Sequence, residues 1–439
     1  MLNDDRTHPN GAFVTTMRPL ERYFLRCQKP KSLLFIFSVI VTLSFWSILP
    51  AGYRTNESSD YVDFYEPVAR NIFNGNGLSG IDGSLAMDYP PGYPFLLAGT
   101  FAIARFLKIP EGIVLSTFTL VCMGTASVFV FTLANIIWSR FLALISALLW
   151  MTCPIVLWVA KQPNSEAPFL VFFYAGFLLF LHSVLHKKRG LSPYFFSGVL
   201  IGLSMLVRPI AIGAVLVMGA AYYVVAEEKK PGFRLLFVAA MLFGNLIAIS
   251  PWEAWVYSQT NKFVPLSTGG SSSIRDGLTF AVVQKDYRQT IRLPTDVVEL
   301  MEDIHATSIG SPPNNSSESI MSVIVEKFLA QPLALARLYG IKAARSWYAT
   351  DSGRFETAII SFQIPYLLLI VLGSVAAWNR RGIFRDSTIV IWLMVLYFWA
   401  MTTTVLSIVR YMVPAVGLLF VLAPGVVARY YRFPRSCPR

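Results

Sequence analysis

Apolar residues run along this chain in long unbroken blocks separated by short polar stretches. Runs near the length needed to cross about 30 Å of hydrocarbon lie at roughly 32–50, 112–138, 141–160, 166–187, 192–208, 210–226, 235–252, 357–378, 387–406 and 411–428. The pattern predicts an all-α polytopic membrane protein with about ten transmembrane helices. One further run, Pro91 to Leu107, follows Pro90 directly and ends against Lys108. It is short, and a crossing there would spoil the alternation of the others, so it is predicted to lie at or dip into the outer interface.

Charge orients the bundle. Basic residues cluster before the first run (Arg18, Arg22, Arg26, Lys29, Lys31), at Arg140, at Lys187-Lys188-Arg189, at Lys229-Lys230 with Arg234, at Arg380-Arg381 with Arg385, and at Arg429 with Arg432 and Arg435. Cytoplasmic loops carry an excess of Lys and Arg, and placing every cluster there closes the topology with both chain ends cytoplasmic. No signal-peptide cleavage pattern precedes the first run, which reads as a retained anchor. The predicted organisation is a cytoplasmic segment 1–31, a transmembrane bundle 32–252 containing a first outer loop 51–111, a second outer loop 253–356, C-terminal helices 357–428 and a tail 429–439. In the second loop, 269–276 and 308–317 read as turn or mobile loop. Residues 292–306 and 319–349 have helical periodicity, the latter ending in the basic-aromatic edge Lys342, Arg345, Trp347, Tyr348.

Composition agrees. With 55% hydrophobic and 14% charged residues and a mean hydropathy of +0.55, the chain has too little charge to solvate a globular surface. The net charge of +12 is accounted for by the interhelical clusters, so no nucleic-acid partner is expected. Cys27, Cys122, Cys153 and Cys437 are scattered, and His8, His182, His186 and His305 form no ligand set. His182 and His186, one turn apart, read as a solvated interfacial pair.

Ionisable residues inside a membrane are costly, and here they collect at the outer helix ends: Asp60, Asp63, Asp88, Glu166, Arg208, Arg275, Arg345 and Arg410. Asp60, Asp63 and Asn71 with Tyr61, Phe64 and Tyr65 predict an amphipathic juxtamembrane helix, with Ser59 or Asp60 as N-cap. At i,i+3 the two aspartates share a face. On the plainer reading Asp60 only caps this helix and Asp63 complements its dipole. Downstream, Tyr89-Pro90-Pro91-Gly92-Tyr93-Pro94 forms a stiff turn suited to fixing that helix against the next.

Several stretches carry a family likeness in order. An early Asp in an aromatic helix with "ARN" is followed by "YPPGYP", then "NSEAPFLVFFYAGFLLFL", "GVLIGLSMLVRP", "SPWEAWVYSQTNKFVPLSTGG" and "VRYMVP". From about residue 32 to 428 the chain resembles the polyprenyl-phosphate-sugar-dependent glycosyltransferases of the GT-C fold, especially the branch with aminoarabinose transferases of lipid A and protein O-mannosyltransferases. The resemblance implies a catalytic base at Asp60, with Asp63 as the fallback, and a further family acid at Glu166. It also implies a phosphate-holding role for Arg208 and Arg410, and a place in a bacterial inner membrane with a periplasmic site. Glu253-Ala254-Trp255 stands where many relatives have Arg-Asn after Pro-Trp, and Tyr89 where the aminoarabinose transferases often carry Lys. The second departure counts against lipid A as acceptor.

A sugar on a lipid phosphate already has a good leaving group, unlike a glycoside, where two matched carboxylates serve. Transfer then needs one carboxylate to take the acceptor proton, cations for the departing phosphate, and an apolar groove for the lipid tail. The expected partners are a polyprenyl-phosphate sugar donor, a glycan or lipid acceptor and membrane lipids. Tyr65, Asp88, Tyr89, Tyr93, Arg208, Arg275, Arg345 and Arg410 are the candidate substrate contacts, with Lys161 or Arg275 in reserve for the phosphate. No cofactor is required, and a divalent metal remains an option. The other classes are a transporter or flippase of lipid-linked sugars, marked by mid-span charges, a hydrolase of lipid-linked sugars, and a non-catalytic scaffold.

Overall fold

The computed structural model describes residues 30–428 apart from 55–59, 162, 189, 227–230, 284–292, 310–315 and 352. Ser59, His8, Cys27, Cys437, most of the 308–317 loop, and the basic residues before Pro30, at Arg189, at Lys229-Lys230 and after Ala428 therefore lie outside the described residues. Among those described the protein is helical, with a single isolated β-bridge between Ser79 and Leu85.

The chain begins with α1 (Pro30–Ile48), a π-helical turn over Asp60–Tyr65 that runs into α2 (Glu66–Phe73), and α3 (Gly92–Leu107). There follow α4 (Glu111–Ile137), α5 (Arg140–Thr152), α6 (Pro154–Val159), α7 (Glu166–Leu185), α8 (Ser192–Val207), α9 (Ala214–Val225) and α10 (Pro231–Thr260). Seven helices among the described residues are long and apolar enough to span a membrane: α1, α4, α7, α10, Glu356–Trp378, Ile383–Thr404 and Val409–Ala428. The other three expected crossings fall on shorter helices. Residues 141–160 are two helices end to end, broken where Pro154 cannot continue α5, 192–208 is the 16-residue α8, and 210–226 is a short 3-10 turn joined to α9.

The predicted interfacial run is α3. Its near end meets the end of α8: a Cβ on Gly92 would lie 2.5 Å from the Leu206 carbonyl oxygen, so only glycine fits. Its far end returns to the same region, because Arg70 of α2 bonds both Glu66 and Glu111 at 2.8 Å, and Glu111 opens α4. Both ends of α3 thus stay at one end of the bundle, and its inner face (Tyr93, Leu97, Phe101, Ala104) is buried.

The second loop differs from expectation in two places. Helix α10 continues to Thr260 through Pro251, and residues 269–276, expected as turn, form α11 (Gly270–Leu278). With α12 (Thr295–Ile309), α13 (Ser316–Ala330) and α14 (Pro332–Arg345) it encloses a separate small core that includes Leu278, Val297, Leu300, Met301, Ile304 and Leu338. Before α11 a strap runs back to the first loop. Glu253 accepts the Leu266 N–H at 2.8 Å and Trp252 donates to the Leu266 carbonyl at 2.8 Å. Thr268 then donates its N–H to the Met87 carbonyl at 2.9 Å, and Gly269 donates to the Asp88 carbonyl at 3.2 Å.

This module grips the segment that follows α15 (Glu356–Trp378) and α16 (Ile383–Thr404). Lys342 is fully buried and donates to the Thr404 and Val405 carbonyls at 3.2 and 3.3 Å, while Val409 donates to the Ala349 carbonyl at 2.8 Å. Burial pushes the Lys342 ammonium down to about 7, against about 10.4 in an unfolded chain. Between those values the native state binds fewer protons, so stability rises with pH there, and below about pH 7 the full penalty of burying the charge is present. The module's resistance to proteolysis is therefore expected to climb from pH 7 to pH 10 in the wild type. Lys342→Met is expected to be more resistant at pH 6 and to lose that slope; a flat wild-type profile would contradict the assignment.

Candidate functional site

The site forms where α7, α8 and the segment after α16 end beside the π-helical turn. Arg208 closes α8 and donates to the Ser165 hydroxyl at 3.0 Å. Its guanidinium lies 2.5 Å from the Glu166 carboxylate, and both are largely buried. Arg410, in a 3-10 turn over Val409–Met412, reaches three carboxylates: Asp351 at 3.6 Å, Asp60 at 3.8 Å and Glu166 at 3.9 Å. Tyr411 lies beneath both guanidinium groups, 4.9 Å from that of Arg208 and 5.4 Å from that of Arg410. A narrow cavity at this point is lined by Glu166, Phe169, Arg208, Arg410, Tyr411 and Pro414 among others.

The Tyr-Pro-Pro-Gly-Tyr-Pro turn supplies the opposite wall. Tyr89 donates its hydroxyl to the Asp60 carboxylate at 2.9 Å. Its ring packs on Phe64 and Tyr65 at 5.0 and 5.1 Å, and Tyr65 meets Tyr93 edge-on at 4.9 Å. Burial raises the Tyr65 hydroxyl well above the usual phenol range, with the Arg208 charge opposing it. Burial raises Tyr89 likewise, helped by the charge of Asp60. Both phenols therefore stay protonated, and that of Tyr89 serves as a hydrogen-bond donor. Gly92 seats this turn against the end of α8, so one backbone contact sets Tyr89 and Arg208 together.

The structure thus brings together Asp60, Glu166, Tyr65, Tyr89, Tyr93, Arg208 and Arg410 from four distant parts of the sequence. It places four other candidates elsewhere. Asp63 is exposed and enters none of these pairs. Asp88 is exposed and accepts the Thr268 hydroxyl at 2.9 Å, which ties the strap to the turn. Arg275 pairs with its neighbour Asp276 at 3.5 Å. Arg345 has 3% of its side chain exposed and binds Glu356 through both terminal nitrogens, at 2.9 and 3.1 Å. With its fork so engaged, Arg345 anchors the turn that carries Asp351.

Asp351 and Ser165 were not singled out by sequence reasoning. Ser165 adjoins Glu166 in the quoted "NSE" stretch, but Asp351 has no local signal, because its role comes from a contact 59 positions away. Lys161 is also buried, with its ammonium 3.7 Å over the Trp158 ring. Burial lowers its pKa, and no carboxylate pairs with it among the described residues.

A divalent ion does not fit this donor set. One Asp60 oxygen accepts Tyr89 and the other faces Arg410, while a single Glu166 oxygen is shared by two guanidinium groups. Among the described residues no three His, Cys, Asp or Glu side chains gather as ligands.

Residues 88–255 match the protein family described as dolichyl-phosphate-mannose-protein mannosyltransferase. No curated protein sequence matches the chain. Among solved structures, the chain is similar to the archaeal oligosaccharyltransferase AglB from Archaeoglobus fulgidus in complex with an inhibitory peptide and a dolichol-phosphate. The TM-score is 0.55 at 12% identity, over 91% of this chain and 50% of that one. It is similar also to the Archaeoglobus fulgidus oligosaccharyltransferase in the apo form, with a TM-score of 0.55 at 11% identity, over 90% of this chain and 50% of that one. The chain therefore spans about half the length of the solved structures it matches. The likeness is one of fold, and with the family match it supports the GT-C glycosyltransferase architecture that the motifs implied.

Proposed function

We propose that this GT-C protein is a membrane glycosyltransferase that moves a sugar from a polyprenyl-phosphate donor to an acceptor hydroxyl or amine, on a glycolipid or cell-envelope glycan. One observation carries the reading: a carboxylate held by a phenol, Asp60 on Tyr89, stands opposite the Arg208 and Arg410 guanidinium groups at the end of an apolar bundle. In the proposed step the acceptor oxygen bonds to the anomeric carbon, its proton passes to Asp60, and the bond from that carbon to the phosphate oxygen breaks. The electron pair stays on the phosphate, whose added charge the guanidinium groups stabilise.

Charge refines the picture. Asp60, Glu166 and Asp351 oppose only Arg208 and Arg410 within the cluster, which leaves it net negative and poorly disposed toward an anionic donor. Lys161, a few residues before Glu166 and without a carboxylate partner among the described residues, is the cation we assign to restore the balance. We place the site on the non-cytoplasmic face of a bacterial inner membrane, because Lys31, Arg140, Arg380 and Arg381 belong to the opposite helix ends. The units 51–111 and 253–356 are then the two outer loops, joined by the strap.

The test is transfer by the purified protein in lipid vesicles with polyprenyl-phosphate-linked sugars and candidate glycan or lipid acceptors, alongside mass spectrometry of envelope glycolipids with and without the protein. Sugar appearing on an acceptor is the expected result. Free sugar without acceptor would assign a hydrolase, and translocation of intact donor would assign a flippase.

A further inference from the structure

The bundle end opposite the candidate site holds a second feature. Between α1, α4 and α5 lies a cavity of about 440 Å³, lined by Pro30, Leu33, Leu34, Ile36, Phe37, Ile40, Phe131, Leu144, Leu148 and, as the sole charged group among the described residues, Arg140. Arg140 is exposed, and no carboxylate pairs with it among the described residues. At 1.5 Å per residue the wall from Pro30 to Ile40 is about 15 Å deep, with the guanidinium at the end where α5 begins and apolar side chains beyond it.

We propose that this groove is a binding site for an anionic phospholipid of the bilayer, with one acyl chain between α1 and α5 and the headgroup phosphate on Arg140. The groove opens between helices that span the membrane, so an apolar chain rather than water fills it without leaving polar groups unpaired. Phosphate matches a guanidinium fork such as that of Arg140. The chain's own segment before Pro30 is itself basic in sequence, with Arg18, Arg22, Arg26 and Lys29, and so does not complement the charge of Arg140. This site is independent of the proposed transfer reaction: none of its residues belongs to the cluster around Arg410.

Native mass spectrometry of the purified protein, with palmitoyl-oleoyl phosphatidylglycerol against the phosphatidylcholine of the same chains, tests the assignment. The wild type is expected to retain the anionic lipid roughly fivefold better, the preference that one cation near an anionic headgroup supplies. Arg140→Gln is expected to abolish that preference. Leu148→Trp, or Ile36→Trp if the first variant folds poorly, fills the groove and is expected to reduce retention of both lipids. Equal retention of the two lipids by wild type, a preference that survives Arg140→Gln, or undiminished retention in both Trp variants would overturn the proposal. So would self-association through α1 that both lipids leave unchanged. Sugar transfer in Arg140→Gln is expected to be normal, so loss of lipid preference and loss of the proposed activity remain separate outcomes.

Discussion

Asp60→Asn is expected to lower sugar transfer by at least about a hundredfold, within the roughly 10²–10⁴ that a positioned general base contributes, and to leave the fold intact. Asn keeps the shape, and its amide oxygen still accepts the Tyr89 hydroxyl, so the turn stays docked; what disappears is the charge that takes the acceptor proton and faces Arg410. Asp63→Asn should cost far less, because Asp63 is exposed and joins no ion pair of the cluster. The capping view predicts otherwise. Asn caps about as well as Asp, so Asp60→Asn would be near normal and only Asp60→Ala would lose about 1 kcal/mol of local stability. Among the described residues the Asp60 carboxylate accepts the Tyr89 hydroxyl and no N–H group of its own first turn, which favours the base. Transfer by the purified variants decides: a normal Asp60→Asn with a collapsed Asp63→Asn would move the role to Asp63, and normal rates in both would remove this loop from the chemistry.

How much of this was legible in the sequence follows the range of the interactions. Helices declare themselves through contiguous apolar residues, so the helical runs were legible; seven of them are single helices long and apolar enough to span a membrane, while the continuation of α10 to Thr260 and the break at Pro154 were not. That 91–107 forms one short helix was legible because its length and proline flanks are local properties. The second loop was harder. Gly269-Gly270-Ser271-Ser272-Ser273 has turn composition, yet α11 forms because Leu278 and its neighbours enter a core built from segments 20 to 60 residues further on, and tertiary burial overrides weak local propensity.

The candidate site divides the same way. Asp60, Glu166, Arg208 and Arg410 were found because a charged residue at an apolar boundary is conspicuous wherever it lies. Which of them meet was not legible, since a charge at an outer helix end looks the same whether it faces Asp60 or Glu356. Arg345 and Arg410 illustrate this: the sequence offers two arginines at outer boundaries, and only the fold spends one on a buried bidentate pair and leaves the other among three carboxylates. Asp351 was invisible for the converse reason, an acid in a polar turn being unremarkable until Arg410 is placed beside it.

Arg410 is accordingly the second residue on which the reading turns. Arg410→Gln is expected to reduce turnover by about 10²–10³, the loss seen when a preorganised charge-stabilising donor is removed. The loss should fall mainly on kcat, with a smaller rise in donor KM, because the phosphate gains charge as the bond to the sugar breaks. A purely structural Arg410 would act differently. Its removal would leave Glu166 less compensated in a buried setting, and neutralising that acid should then repair the damage, since residues coupled through one ion pair give non-additive effects. The double variant Arg410→Gln with Glu166→Gln separates the two. If Arg410 stabilises the departing phosphate, the double variant stays at least as impaired as Arg410→Gln alone, whereas recovery to near the rate of Glu166→Gln would reduce Arg410 to a counter-ion. Arg345→Met supplies the contrast. It breaks the pair with Glu356 and should weaken the second loop, yet in protein that remains folded it should leave donor KM unchanged, because no nitrogen of its fork is free to reach a phosphate.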